Sequence, residues 1–263
     1  MARFEAPATA AFLQSWEDGG YATRHERGGG ELSVNGIRSV DGAVWLAGTP
    51  GVLRGSRLVL VQTKAVLTSS VLGQALYSRR LAVAAGAVVE RNIVLCGWAD
   101  DAMQFIAADD VLGQDVEVVQ DRSLFDPAAR RGATKGAPRW PRTERTTWLA
   151  GLDSSDGQPM YAGASYDKLC AVLPLLEGGT AFISTQTSEG MSGLGRVVCG
   201  WTALRANHPE PHYLLLAVRG GQGDLRAVAV DGVPAVSIVA VPQGETAAET
   251  LQKVGLSAVN EGL

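Results

Sequence analysis

Arg57-Leu-Val-Leu-Val-Gln-Thr-Lys64 begins with an unbroken apolar run, Leu58 to Val61, and then turns polar. A run of that length and continuity predicts a strand covered on both faces. The two-residue period of a strand puts Gln62 and Lys64 on the same face at its polar end.

The flanking sequence extends this strand into a sheet. Upstream, Glu31 to Leu46 alternates apolar and polar residues and then becomes mostly apolar, which predicts a strand pair or one long bent strand. Gly48 to Gly55 is rich in Gly and Pro and predicts the connecting turn. Downstream, Ser69 to Ala85 spaces Val71, Leu72, Ala75, Leu76, Leu81 and Val83 as a helix would, with Ser69 or Ser70 as N-cap and Gly86 just past its end. Arg91 to Gly97 predicts a further strand, Asp100 to Ala107 a helix, and Asp115 to Gln120 a last short strand. Ahead of them all, Thr9 to Glu17 predicts an amphipathic helix ended by Gly19-Gly20, and His25 to Gly30 a loop. The order is that of a mixed sheet flanked by helices, an α/β architecture.

Asp41 lies in or at the end of the strand that precedes Gln62 and Lys64, and Gln74 and Tyr77 sit on the helix that follows. Cleaving a phosphodiester calls for a hard divalent ion, which neutralises developing charge and activates water. Magnesium takes oxygen ligands, and a lysine beside it stabilises an anionic transition state. Arg38-Ser-Val-Asp41-Gly-Ala-Val-Trp, then Leu58-Val-Leu-Val-Gln62-Thr-Lys64-Ala, then Leu72-Gly-Gln74-Ala-Leu-Tyr77 resembles the PD-(D/E)xK, or restriction-endonuclease-like, nuclease superfamily. The likeness covers about Gly20 to Gln120. Gln62 stands where that superfamily usually carries Asp or Glu, although some of its branches use Gln-x-Lys.

The resemblance implies a metal-dependent DNA endonuclease or nickase using Mg²⁺ or Mn²⁺. Asp41 and Gln62 would hold the ion, Lys64 would support the transition state, and Gln74 and Tyr77 would orient the site. Many members also carry a glutamate on the first helix. Glu17 is the candidate here, with Glu26 and Glu31 as alternatives. The other outcome it implies is a catalytically inactive protein on the same fold, binding nucleic acid or serving as an assembly component, for example of a phage particle or a defence complex.

Residues 122–147 differ in character, with Arg122, Arg130, Arg131, Lys135, Arg139, Arg142 and Arg145 among scattered Gly and Pro. They are read as a basic interdomain linker between residues 1–121 and 148–263. Arg130, Arg131, Lys135, Arg139 and Arg142 are the candidates for DNA-backbone contact. Trp140 and Trp148 would either stack on bases or pack on a domain. The second domain is expected to be β-rich α+β, with a helix over Tyr166–Leu176 interrupted by Pro174. Strands are expected at Thr180–Thr185, Gly195–Thr202, Tyr213–Arg219, Leu225–Val230 and Ala235–Val241, and a closing helix over Thr246–Val254. Glu189 to Gly195 is read as a Gly-rich turn, lacking the lysine of a phosphate-binding loop. His208-Pro-Glu-Pro-His212 has the spacing of a helical zinc chelate, but its prolines oppose a helix. No internal repeat is read, and residues 148–263 are left as a DNA-, partner- or self-contacting module.

Composition bounds these expectations. The 263 residues suit two domains, and 46% hydrophobic against 19% charged residues is ample for packed cores. A net charge of −4 opposes indiscriminate nucleic-acid binding while leaving a local basic groove open. The three cysteines, Cys96, Cys170 and Cys199, form no CxxC pair and are read as buried apolar residues of a reducing compartment. The start Met-Ala-Arg-Phe-Glu-Ala-Pro lacks a signal-peptide pattern, and no apolar run is long enough to span a bilayer. The expectation is a soluble protein with no membrane association, cytoplasmic or in a virion if phage-encoded.

Overall fold

The computed structural model describes residues 5–25, 32–34, 39–99, 101–108, 115–126, 140–152, 170–186, 191–205, 208, 210–219 and 233–257. The chain divides into two compact units, Met1–Thr134 and Lys135–Leu263. Both are α/β, with a mixed sheet flanked by helices.

The first unit runs α1 (Glu5–Asp18), β1 (Ala22–His25), a small antiparallel pair β2 (Leu32–Ser33) and β3 (Ser39–Val40), β4 (Gly42–Ala47), β5 (Arg57–Val66), α2 (Ser69–Ala84), β6 (Val88–Trp98), α3 (Asp101–Ala107), β7 (Glu117–Gln120) and a 3₁₀ turn at Arg122–Leu124. Its main sheet has the order β1-β4-β5-β6-β7. The β1–β4 and β4–β5 pairs are antiparallel, and the β5–β6 and β6–β7 pairs are parallel.

The apolar run of β5 explains its central place. Val59, Val61 and Ala65 face one layer and pack with Ala8 and Leu13 of α1. Leu58 and Leu60 face the other and pack with Leu81 and Ala82 of α2. A strand covered on both sides needs apolar residues at successive positions, not alternate ones. The helix α2 begins at Ser69 as expected, but its N-cap is Thr68, whose hydroxyl accepts from the Val71 N–H. The chain is still extended at Thr68, and Ser69 is already turned into the interior.

The second unit runs α4 (Arg142–Ala150), β8 (Cys170–Pro174), β9 (Thr180–Gln186), α5 (Met191–Leu204), β10 (His212–Val218), β11 (Val236–Ala240) and α6 (Ala247–Lys253). Its sheet has the order β11-β10-β9-β8, with β8–β9 antiparallel and the other two pairs parallel. Alternation of helix and parallel strand makes this unit α/β, not the β-rich α+β domain expected.

Two local corrections produce that change. Gly195–Thr202 is not a strand but part of α5, and the expected turn over Glu189–Gly195 overlaps the same helix, which contains Gly193 and Gly195. The β-branched pair Val197-Val198 favours a strand locally, yet Leu194, Val197, Val198 and Trp201 are buried at helical spacing. The second correction is β8: within the segment expected to be helical, Cys170–Pro174 is an edge strand, and Pro174 sits at its end, where a missing N–H costs the ladder little. Residues 166–169 and the strand expected at 225–230 lie outside the described residues.

The stretch read as linker, 122–147, includes the 3₁₀ turn and the start of α4. Trp140 is fully buried, and Trp148 packs edge-on against it at 5.7 Å while donating its ring N–H to the Glu245 carbonyl at 3.1 Å. Both tryptophans therefore pack on the second unit. All three cysteines are buried and none is in a disulfide. No helix among the described residues is long and apolar enough to cross a membrane.

Candidate active site at the end of strand β5

Asp41, Gln62 and Lys64 lie at one end of the first sheet. The β4–β5 register pairs Gly42 with Val61 and Ala43 with Leu60, which sets Asp41 opposite Gln62. Gln62 and Lys64 have the strand parity of Leu58 and Leu60, whose layer is that of α2. A carboxylate oxygen of Asp41, Oδ2, accepts the Thr63 backbone N–H at 2.7 Å, which fixes the acid against β5. Gln62 is 4% exposed and donates its amide N–H to Ser78 Oγ on α2 at 3.3 Å. That bond assigns the amide nitrogen to the helix side and leaves the carbonyl oxygen as the group that can accept or ligate.

Lys64 is half exposed, and its ammonium meets Glu5 Oε1 at 2.7 Å. Glu5 is the first residue of α1 and is buried. Two features hold this end of α1 on the sheet. The Thr9 hydroxyl bonds the Glu5 carbonyl at 3.0 Å and is paired with the Thr63 hydroxyl at 2.8 Å. Gly42, next to Asp41, has no side chain, and a Cβ there would stand 2.9 Å from both Leu13 and Thr9 side-chain carbons. Glycine at 42 therefore sets the close approach of helix to strand that brings Glu5 to Lys64.

The α1 glutamate that pairs with Lys64 is thus Glu5. Glu17, the residue expected there, is exposed near the other end of α1, roughly 18 Å away at 1.5 Å per residue, and it accepts a hydrogen bond from Thr23. Glu26 and Glu31 lie outside the described residues. Glu5 escaped the sequence reading because the predicted helix began at Thr9. The available signal was Pro7, which is tolerated in the first turn of a helix and so permits a start before Thr9.

The two helix residues expected beside the site differ in placement. Gln74 is half-buried on α2. Tyr77 is 1% exposed, and burial pushes its phenol well above the ordinary tyrosine range, so it stays neutral within the core and does not face a substrate. Among the described residues, no three His, Cys, Asp or Glu side chains converge, so the donors at this end of the sheet are two carboxylates and an amide.

Of the expected DNA-contacting residues, Arg142 is exposed at the start of α4, while Arg130, Arg131, Lys135 and Arg139 lie outside the described residues. Both ring nitrogens of His212 are engaged within the protein: Nδ1 accepts from Trp201 Nε1 at 3.1 Å, and Nε2 meets the His208 carbonyl at 3.1 Å. Compared with protein-family models, curated proteins and solved structures, the chain gives no match.

Proposed function

We propose that the first unit is a restriction-endonuclease-like domain and that the protein is a metal-dependent DNA endonuclease or nickase. The observation that carries this reading is that β5 ends in Gln62 and Lys64 with one carboxylate fixed on each side of the strand end, Asp41 on the Thr63 N–H and Glu5 on the Lys64 ammonium. The order of elements around them supports it: helix, antiparallel strands, the strand bearing Gln62 and Lys64, a crossover helix, and a parallel strand.

The donor set fits a hard cation, because Asp41, Glu5 and the Gln62 carbonyl all offer oxygen and none offers sulfur or imidazole. Asp41 and Gln62 would hold Mg²⁺ or Mn²⁺, with Glu5 supplying a second carboxylate. A bound ion of this kind lowers the pKa of water and offsets charge on a phosphoryl oxygen. The chain's own groups do the rest. Lys64 presents its ammonium to the anion formed at phosphorus. Thr63 holds Asp41 through its N–H, and Ser78 fixes the Gln62 amide.

One observation favours the alternative of an inert nuclease-fold protein that binds nucleic acid or builds an assembly: Lys64 is already neutralised by Glu5, and Gln62 is bonded to α2. Cleavage of supercoiled plasmid separates the two. With Mg²⁺ or Mn²⁺, wild type should nick, while Asp41→Ala and Lys64→Ala should lose about 100-fold or more. Glu5→Gln should fall with them and Glu17→Gln should not. Folded wild type that fails to cleave with either metal would leave the inert reading standing.

A further inference from the structure

The two units share one connectivity. In the first, β4 and β5 are antiparallel, α2 crosses over, and β6 and then β7 add in parallel. In the second, β8 and β9 are antiparallel, α5 crosses over, and β10 and then β11 add in parallel. Each unit also has a helix before its hairpin. The order and sense of strand pairing are therefore repeated although no sequence repeat is read.

Register then matches the two strand ends residue by residue. In the first hairpin Asp41 lies opposite Gln62, and in the second Cys170 is paired with Ser184. Lys64 stands five residues ahead of Ser69, the first of α2, and Gln186 stands five ahead of Met191, the first of α5. Gln62-Thr63-Lys64 thus corresponds to Ser184-Thr185-Gln186, and burial follows the same course, two buried residues and then one partly exposed. The middle residue is threonine in both units, and in both the helix before the hairpin bonds to it. Thr9 pairs with the Thr63 hydroxyl at 2.8 Å, and Arg145 Nη1 donates to the Thr185 carbonyl at 3.3 Å. The crossover helices carry a matching triplet, Leu72-Gly73-Gln74 and Leu194-Gly195-Arg196, with Gln74 and Arg196 each the sixth residue of its helix.

The matched positions differ in what they can hold. The first unit sets an acid, an amide and a lysine at 41, 62 and 64, where the second sets a thiol, a hydroxyl and an amide at 170, 184 and 186. Cys170 and Ser184 are buried, and the thiol donates to the Ser184 hydroxyl at 3.6 Å. A hard divalent ion takes carboxylate and carbonyl oxygens, and a thiol suits softer metals. Guanidinium groups also reach this end: Arg145 and Arg196 both donate Nη1 to the Thr185 carbonyl, each at 3.3 Å. A guanidinium has no acceptor atom and cannot ligate a cation. In the first unit it is a carboxylate that bonds the strand-end backbone, Asp41 on the Thr63 N–H. Gln186 brings no positive charge to the place of Lys64.

We propose that the second unit is a copy of the first unit's fold without its metal chemistry, so that each chain carries one metal centre, at Asp41 and Gln62, and opens one strand of a duplex. One activated water adds across one P–O bond and leaves one phosphate end and one hydroxyl end, so a single centre makes a single nick per pass. The inference rests on the nuclease reading of the first unit and narrows it to a nickase.

The first measurement is titration of the full chain with Mn²⁺, followed by the paramagnetic resonance signal of the free ion, which needs no turnover. Asp41→Ala should weaken binding about tenfold or more, while Cys170→Ala and Ser184→Ala, at the matched positions, should bind as wild type does. Asp41→Asn, which keeps an acceptor for the Thr63 N–H, replaces the alanine variant if the latter loses its circular dichroism. The second measurement is the time course of supercoiled plasmid cleavage. Open circles should accumulate first, at an initial rate proportional to protein, and linear DNA should form only from them. Mn²⁺ binding that survives Asp41→Ala, or that falls in Cys170→Ala or Ser184→Ala, overturns the inference. Linear DNA formed from the outset at a rate first order in protein overturns it too; in a chain that cleaves, either result leaves the nuclease reading in place. Mn²⁺ held through Asp41 without cleavage keeps the single centre and removes the nuclease reading. Folded wild type that neither binds Mn²⁺ nor cleaves overturns both.

Discussion

Gly200→Ala tests the least expected element of the structure, α5, and with it the position of Arg196. A Cβ at 200 would stand 2.1 Å from Cζ, 2.5 Å from Cε1 and 2.7 Å from Cε2 of Phe182. Carbon atoms pack comfortably at about 3.5–4.0 Å, so helix and strand must part by roughly 1.4 Å or the ring must move. Phe182 is 1% exposed on β9, so its ring is enclosed by packed neighbours. Overpacking of this kind costs about 1–3 kcal/mol, and an overlap this deep belongs at the upper end. Alanine returns about 1 kcal/mol through helix propensity. The expected net loss is about 2 kcal/mol, read by urea unfolding together with hydrogen exchange of β9 and β10 amides. Phe182→Leu added to Gly200→Ala should recover at least about 1 kcal/mol of it as favourable coupling. If residues 195–202 formed a strand instead, Gly200→Ala would be neutral or stabilising. That outcome would refute the packing described, and the convergence of Arg145 and Arg196 would fall with it.

Other consequences are open to direct measurement. Asn92 donates to the Ala75 carbonyl at 3.0 Å and the Asp115 carbonyl at 2.8 Å, tying α2 to β6; Asn92→Ala should cost about 1–3 kcal/mol in chemical denaturation, and a loss below about 0.5 would contradict these bonds. Burial pushes the Cys96 thiol up to about 11, so thiol reagents at pH 8 should leave it unmodified in native protein and label it after urea; rapid native labelling would show an open core. The Glu249 carboxyl is held below its ordinary value, first by the Thr246 backbone N–H and then by the Thr246 hydroxyl, as the capping box of α6. A lowered folded-state pKa stabilises at pH above the unfolded value of about 4.3 and fades as pH falls through the folded value. Exchange of the first-turn amides of α6 should therefore speed up, beyond its intrinsic pH dependence, on acidification below that value, and Glu249→Gln should abolish the effect.

The first unit was legible because its signals are local and mutually consistent. A short, valine-rich apolar run that follows a Gly/Pro turn reads as a strand covered on both faces, and β5 is that strand, with α1 and α2 on either side. Period-two parity then places Gln62 and Lys64 on one face without any knowledge of the neighbours. What parity cannot supply is which distant carboxylate arrives there. Glu5 is 59 positions from Lys64, and it reaches the ammonium only because Gly42 lets α1 lie against the sheet and Thr9 pairs with Thr63.

In the second unit, short-range preference and tertiary packing disagree. Val197-Val198 prefers a strand and Gly193, Gly195 and Gly200 oppose a helix, yet Gly193 and Gly200 are the points where α5 presses on Leu216 and Phe182. There a missing side chain permits contact between layers, and the burial gained outweighs a propensity cost of about 1 kcal/mol per glycine. The sequence by itself determined two packed domains, a central strand and the face its polar end presents. The tertiary structure alone decided that Glu5 reaches Lys64 from the α1 layer, that the second unit repeats the first unit's connectivity, and that Arg145 and Arg196 meet at the Thr185 carbonyl. Those features depend on residues far apart in the chain meeting across layers, and no local periodicity encodes such meetings.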